Sequence, residues 1–261
     1  MRRRILDVYA FLALGYLFLP IAIVVAFSFN NPLGRFNYTW QGFTFRNWLH
    51  PLDYPGLGSA IGISLEIAVL SSLVATALGT LIALALVRYR FRGSETTNTL
   101  IFIPMATPEI VMGASLLALF VNWRLPLGFG TILIAHIMFN ISYVVVTVRA
   151  RLVGFDRHLE EAAMDLGANE LVTFVRVTLP LIAPGILAAA LLAFALSIDD
   201  FVITYFNAGT VTTFPLFVWG AARVAVPPQI NVIGSAIFIA AIGAMLANVI
   251  WQNRRTRRAS A

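Results

Sequence analysis

The sequence predicts an all-α polytopic membrane protein with six transmembrane helices. Three observations carry that expectation. Of 261 residues, 59% are hydrophobic and only 11% charged, where a soluble domain would carry roughly a quarter charged, and the mean hydropathy is +0.85. The apolar residues gather into runs of about 20, the length that crosses a hydrocarbon core. The basic residues cluster beside the ends of these runs, the asymmetry that orients membrane helices. The net charge of +6 therefore reads as orientation rather than as a phosphate-binding face, and no nucleic-acid partner is expected.

The first run, Leu6–Phe29, follows Arg2, Arg3 and Arg4. It begins like a secretory signal, but it is long and leads into Phe27-Ser28-Phe29-Asn30 without a small-x-small cleavage pattern, so an uncleaved span is expected. Asn30–Leu57 carries Pro32, Pro51 and Pro55 and should be irregular. Its Trp40, Phe43, Phe45 and Trp48 suit a headgroup-level aromatic belt or a rim that meets an external protein. The remaining spans are expected at Gly58–Val87, Thr99–Val121, Gly130–Val148, Leu181–Phe206 and Ile230–Trp251.

Arg88, Arg90 and Arg92 follow the second span, and Arg149, Arg151, Arg157 and Arg176 follow the fourth. Arg254, Arg255, Arg257 and Arg258 follow the sixth, so fourteen of the eighteen basic residues share one side if the spans alternate. The other side receives only Arg35, Arg46, Arg124 and Arg223. The expectation is that both termini and the loop after span four are cytoplasmic. Three regions follow: 1–57 with the first helix and outer segment, a membrane core over 58–251 holding a loop at 155–180, and a basic tail at 252–261. No internal repeat or low-complexity linker divides them.

Two absences exclude much chemistry. There is no Cys, hence no disulfide, thiolate nucleophile or Cys-ligated metal. All eighteen basic residues are Arg, so neither a P-loop lysine nor a Schiff-base amine exists. Any energy from ATP must enter through another chain.

Four carboxylates fall within the expected spans: Glu66, Glu109, Asp199 and Asp200. Charges at that depth normally face a cavity or partner, and no Arg stands at comparable depth to neutralise them. Glu66 follows Gly58 and Gly62 at four-residue spacing, so it lies on a small-residue face fit for helix packing or on a polar path. Glu109 follows Pro104 and Pro108, a pair that bends a helix and frees carbonyls where backbone lines a cavity. Asp199 and Asp200 would stand about 100° apart on a helix; the stripe Gly185, Ala189, Ala193, Ser197 points near Asp200, leaving open which acid faces a path. On span four, His136, Asn140, Tyr143 and Thr147 share one face and should hydrogen-bond between helices. No second ligand stands at metal spacing from His136, so no metal site is expected, and His50 and His158 point to no chemistry.

Residues 161–180 read EAAMDLGANELVTFVRVTLP. Asp156 can cap a short helix that carries Glu160 and Glu161 in its early turns and ends at Gly167. Asn169 can cap a second, running to Pro180. An amphipathic connector on the lipid surface would be the plainer reading. The order Glu-Ala-Ala, three residues, Gly, nine residues, Val, one residue, Leu-Pro resembles the cytoplasmic signature loop of type I ATP-binding-cassette (ABC) importer permeases, with Val177 in place of the usual Ile. The segments 103–113 (IPMATPEIVMG), 197–206 (SIDDFVITYF) and 212–238 are similar to the permeases of spermidine/putrescine importers, the second of their two permeases above all.

The resemblance implies a MetI-like transmembrane domain in a bacterial inner membrane. It implies a second permease, two ATP-binding-cassette ATPase subunits and an extracytoplasmic substrate-binding protein as partners. ATP and Mg would be bound by the ATPases, with no cofactor in this chain and no enzyme activity of its own. Glu160, Glu161, Ala162, Ala163, Gly167 and Ala168 would be the coupling contacts, and Glu109, Asp199, Asp200, Glu66 and Trp48 the substrate path. Spaced carboxylates and aromatic rings suit a slender polycation; another small cation or chelate is the alternative cargo. A stand-alone secondary cation carrier would use the same acids but has no use for a docking loop. An intramembrane enzyme would need a nucleophile–base pair that the sequence does not supply.

Overall fold

The computed structural model describes residues 2–89, 91–154, 156–240 and 242–243, with the side chains of residues 2–5 excepted. The regular secondary structure among the described residues is helical, with only isolated β-bridges at Asn30–Phe43 and Phe36–Val226. Two units can be distinguished: Met1–Gly58 with Val218–Ala261, and Ser59–Phe217.

The first unit holds α1 (Arg2–Ser28), the one-turn α2 (Arg46–Leu49) and the apolar helix Pro228–Ala240. The segment between α1 and residue 57 is irregular, as its prolines predict, but well tied. Asn30 Nδ2 donates to Asn37 Oδ1 (2.6 Å) and Asn37 Nδ2 to the Phe27 carbonyl (2.8 Å). Asn47 Nδ2 donates to the carbonyls of Ser28 and Asn30. Buried backbone needs such partners when no ladder is at hand.

In the second unit α3 (Leu57–Arg88), α4 (Ser94–Ala106), α5 (Glu109–Asn122) and α6 (Phe129–Val153) are followed by α7 (His158–Asp165) and α8 (Glu170–Thr173). A widened π-turn, Phe174–Thr178, leads into α9 (Leu179–Asp199) and then α10 (Val202–Asn207); α11 (Phe214–Val224) begins in this unit and ends in the first. The core is formed where Ala75 and Ala83 of α3, Val144, Val145 and Val148 of α6, and Ile182, Ala189 and Ala193 of α9 meet with almost no exposure. Helices in lipid gain from close approach over small residues. At Gly79 a Cβ would stand 2.6 Å from Val144 Cγ1, so only glycine allows this crossing of α3 and α6.

Among the described residues, four helices are long and apolar enough to cross a membrane: Leu6–Ser28, Leu57–Arg88, Phe129–Val153 and Glu170–Asp199. A fifth crossing is available if α4 and α5 form one broken span, because they meet at 109°. The expected third span, Thr99–Val121, is thus two helices, broken at the proline pair that was expected to bend it. Pro108 has no N–H to donate to the Pro104 carbonyl, and the helix stops at Thr107, whose hydroxyl turns back to the Ile103 carbonyl (2.7 Å). The fifth span is corrected: its helix ends at Asp199, and Asp200 is extended (ψ 120°). Of the expected sixth span, Ile230–Trp251, residues 241 and 244–251 lie outside the described residues, as do Arg90, Arg254, Arg255, Arg257, Arg258 and the 252–261 tail.

Candidate functional site

The loop after α6 forms a compact helical knuckle. Asp156 Oδ1 accepts from the His158 backbone N–H (3.0 Å) and lies 2.7 Å from His158 Nδ1. That hydrogen bond holds the exposed Asp156 carboxyl below its ordinary range and the His158 imidazole above its own. At the far end Gly167 adopts φ +89°. Its N–H reaches the Met164 carbonyl (2.9 Å) and the Ala168 N–H reaches that of Ala163 (3.1 Å), the paired bonds of a Schellman cap. Asn169 Oδ1 then accepts from Val172 N–H (2.9 Å) and opens α8.

The second helix does not stop at Pro180. It continues through the π-turn, where Leu179 N–H bonds the Phe174 carbonyl, into α9. Proline's ring collides with the carbonyl four residues back, and one wide turn opens room for it.

Glu161 and Ala162 are exposed, and Ala163 and Ala168 are half-buried. Leu166, which the sequence did not single out, is 90% exposed at the tip. Glu160, expected to contact a partner beside Glu161, is instead turned inward. It forms an ion pair with Arg88 and accepts from the Thr178 hydroxyl. The signal that could have found this was Arg88 itself, a cation at the end of α3 on the side of the membrane where the knuckle lies.

Glu109, Asp199 and Asp200 come together around one hollow of about 350 Å³, walled by Phe139, Leu196 and Phe201. Glu109 opens α5 just after the 109° break, at a helix N-terminus that favours an anion. Neither Glu109 nor Asp199 has a hydrogen bond or ion pair among the described residues.

Asp200 differs and corrects the expectation of uncompensated acids. Its Oδ2 accepts from Thr204 N (2.8 Å) and Thr204 Oγ1 (2.7 Å), its Oδ1 from Ile203 N (3.3 Å), and His136 Nε2 lies at 3.2 Å. It caps α10 with its side chain 5% exposed. His136 Nδ1 meets Ser197 Oγ at 2.7 Å, and Ser71 Oγ donates to the same oxygen at 2.9 Å, so α3, α6 and α9 share one buried polar cluster.

The rest of the expected polar face of α6 behaves otherwise. Thr147 bonds the Tyr143 carbonyl in its own helix (2.8 Å), and the buried Asn140 amide has no hydrogen-bond partner among the described residues.

Glu66 is exposed on α3 and does not line the hollow. Beside it, a Cβ on Gly62 would meet nothing within 4 Å, so no described helix fills that small-residue face. Trp48 belongs to the first unit. Its Nε1 donates to Ser28 Oγ (3.0 Å) and its ring stacks on Phe29 at 5.5 Å, so it is held within an aromatic cluster with Phe43 and Phe45. The first unit also has a larger hollow of about 550 Å³, lined by Arg35, Arg46, His50 and Asp53. Two guanidiniums against one carboxylate suit an anion there, not a cation. Among the described residues no group of three potential metal ligands occurs.

The family described as binding-protein-dependent transport system inner membrane component matches residues 75–258. The chain is 38% identical over 244 residues to the spermidine/putrescine transport system permease protein PotC of Escherichia coli (strain K12), covering 93% of this chain and 92% of that one. It is 41% identical over 242 residues to the putrescine transport system permease protein PotI of the same strain, covering 89% and 85%. Among solved structures, a bacterial ABC transporter involved in the import of the acidic polysaccharide alginate matches with a TM-score of 0.64 at 18% identity, over 97% of each chain. The MetNI methionine ABC transporter in inward-facing conformations matches at 0.60 and 14%, covering 74% of this chain and 94% of that one.

Proposed function

This chain belongs to the family of binding-protein-dependent transport system inner membrane components, and from that premise we propose that it is the permease subunit of an ATP-driven ABC importer of polyamines. The observation that carries the reading is the knuckle, a doubly capped helical turn that offers Glu161, Ala162 and Leu166 outward. It is the part that an ATPase groove would hold, with Ala163, Gly167 and Ala168 permitting close approach. Two ATPase subunits would bind ATP and Mg; this chain holds no cofactor and works as a transporter rather than an enzyme. A second permease would complete the path, and an extracytoplasmic binding protein would deliver the cargo. The clustering of arginines supports a cytoplasmic position for the knuckle and both termini, in a chain that crosses a bacterial inner membrane several times.

The hollow formed by Glu109, Asp199 and Asp200 is where a polycation would meet this subunit. Unpaired carboxylates beside apolar walls attract ammonium groups more strongly than in water, because the local dielectric is lower. Glu66, on an exposed face, would serve where the second permease packs, and Trp48 would steady the outer segment near the entry. ATP closing the ATPases would push the knuckle and convert the inward-facing path to an outward-facing one. Loss of ATP would reverse the step.

The test is reconstitution. Liposomes holding both permeases and the ATPases, with ATP inside and binding protein outside, should accumulate labelled putrescine or spermidine, and liposomes with this chain alone should not. Uptake by the chain alone without ATP, or a complete complex that hydrolyses ATP with no response to polyamines, would overturn the reading.

A further inference from the structure

Glu160 and Glu161 are adjacent on α7 yet differ in surroundings. Glu161 is exposed, whereas one oxygen of Glu160, Oε1, accepts from both the Arg88 guanidinium and the Thr178 hydroxyl. Arg88 Nη2 also donates to Thr178 Oγ1 at 3.3 Å. The hydroxyl thus gives its one proton and accepts one bond, which completes the triangle. Thr178 is fully buried, and the side chains of Arg88 and Glu160 are 26% and 16% exposed.

The three residues come from three elements: the last turn of α3, the first turn of α7, and the final position of the π-turn that feeds α9. Each charge sits at the helix end whose dipole favours it. A parallel tie runs from Arg157 Nη2 to the Val87 carbonyl (2.9 Å).

The chain between α7 and α9 passes through Gly167, the most compliant kind of residue, and then through a wide turn with imperfect helical bonding. A push on α7 that travelled only along this covalent route would be taken up in those two places. We propose that Glu160 is a positioning residue that clamps the knuckle to α3 and to the root of α9, so that displacement of the knuckle moves both helices together. This rests on the knuckle being the ATPase contact. Glu161 then serves the partner, and Glu160 serves the transmission of its stroke.

The experiment uses the complete reconstituted importer and reads two quantities: polyamine taken up per ATP hydrolysed, and ATPase retained on purification. Glu160→Gln and Arg88→Gln should each lower uptake per ATP roughly tenfold, the scale of losing a hydrogen bond to a charged group, with ATPase retention unchanged. Thr178→Val, which keeps the shape and removes the hydroxyl, should lower it by less. The exchange Arg88→Glu with Glu160→Arg should recover much of the ratio, which a merely structural role does not require.

Unchanged uptake per ATP in Glu160→Gln overturns the clamp, and so does loss of the ATPase from that variant. If the exchanged pair does not insert, Thr178→Val decides, since an unchanged ratio there removes the hydroxyl from the route. Gly167→Val separates the two levels. Normal uptake in it removes the knuckle's role altogether, whereas impaired uptake beside a normal Glu160→Gln removes only the clamp.

Discussion

Asp200 accepts bonds from His136, Thr204 and Ile203, whereas Asp199 and Glu109 have no partner among the described residues, so three carboxylates around one hollow should respond differently to neutralisation. Asp200→Asn leaves buried donors short of an acceptor, a loss of about 1–3 kcal/mol. It should lower the melting temperature of the purified complex and reduce uptake equally for a triamine and a diamine. Glu109→Gln and Asp199→Asn should leave the melting temperature nearly unchanged. They should weaken uptake per folded complex more for the triamine, because each additional ammonium loses an attraction. Equal loss for both cargoes in the latter two would remove these acids from selectivity. The sequence identified all three acids and their costly depth. It could not tell a cap from a free charge, because that depends on where the helix stops and on His136, sixty-four positions away.

The elements show why the rest was hard to read. Apolar residues predominate on both sides of Pro108–Glu109 and of Asp199–Asp200, so hydropathy averaged over Thr99–Val121 and Leu181–Phe206 registers single spans. The breaks are decided by one missing donor at Pro108 and by the carboxylate that caps α10. The knuckle was legible almost residue by residue, since capping is local: Asp156, Gly167 and Asn169 each do what their chemistry favours.

Gly167 carries a testable distinction. Its φ is +89°, but a Cβ there would meet nothing within 4 Å of this chain, so substitution costs backbone strain and no internal clash. A β-branched residue in that conformation loses on the order of 1–3 kcal/mol, whereas Asn tolerates it. Gly167→Asn should therefore keep the fold of the knuckle while Gly167→Val distorts it. If ATP-driven uptake survives in the Asn variant, the turn alone matters. If both variants fail with the complex still assembled, the missing side chain is needed for the close approach of a partner.

For the whole molecule, composition and arginine placement pointed to a multi-pass membrane protein, the resemblance of the loop at 161–180 pointed to an inner-membrane permease, and its relatives agree. Cargo is a finer matter. A structure at a TM-score of 0.64 belongs to an importer of an acidic polysaccharide, so the scaffold is silent on the sign of what it carries, and that information resides in a few side chains. The knuckle was legible because its motif is local; the tie behind it was not, since it joins residues ninety positions apart. The exposed tip of the knuckle has one more consequence. Leu166, Leu159 and Met164 are 90%, 48% and 43% exposed, apolar side chains that, under the proposed function, would stand in water until an ATPase covered the tip. Before assembly, such an exposed tip would act as a degradation signal and a nucleus for clumping. Cells that make this subunit without its ATPase should hold it at low abundance, with a short half-life in a pulse-chase measurement. Leu166→Ser should lengthen the lifetime of the orphan while weakening the assembled importer. Supply of the two proteins in matched amounts would then be a requirement set by a single leucine at the end of a turn.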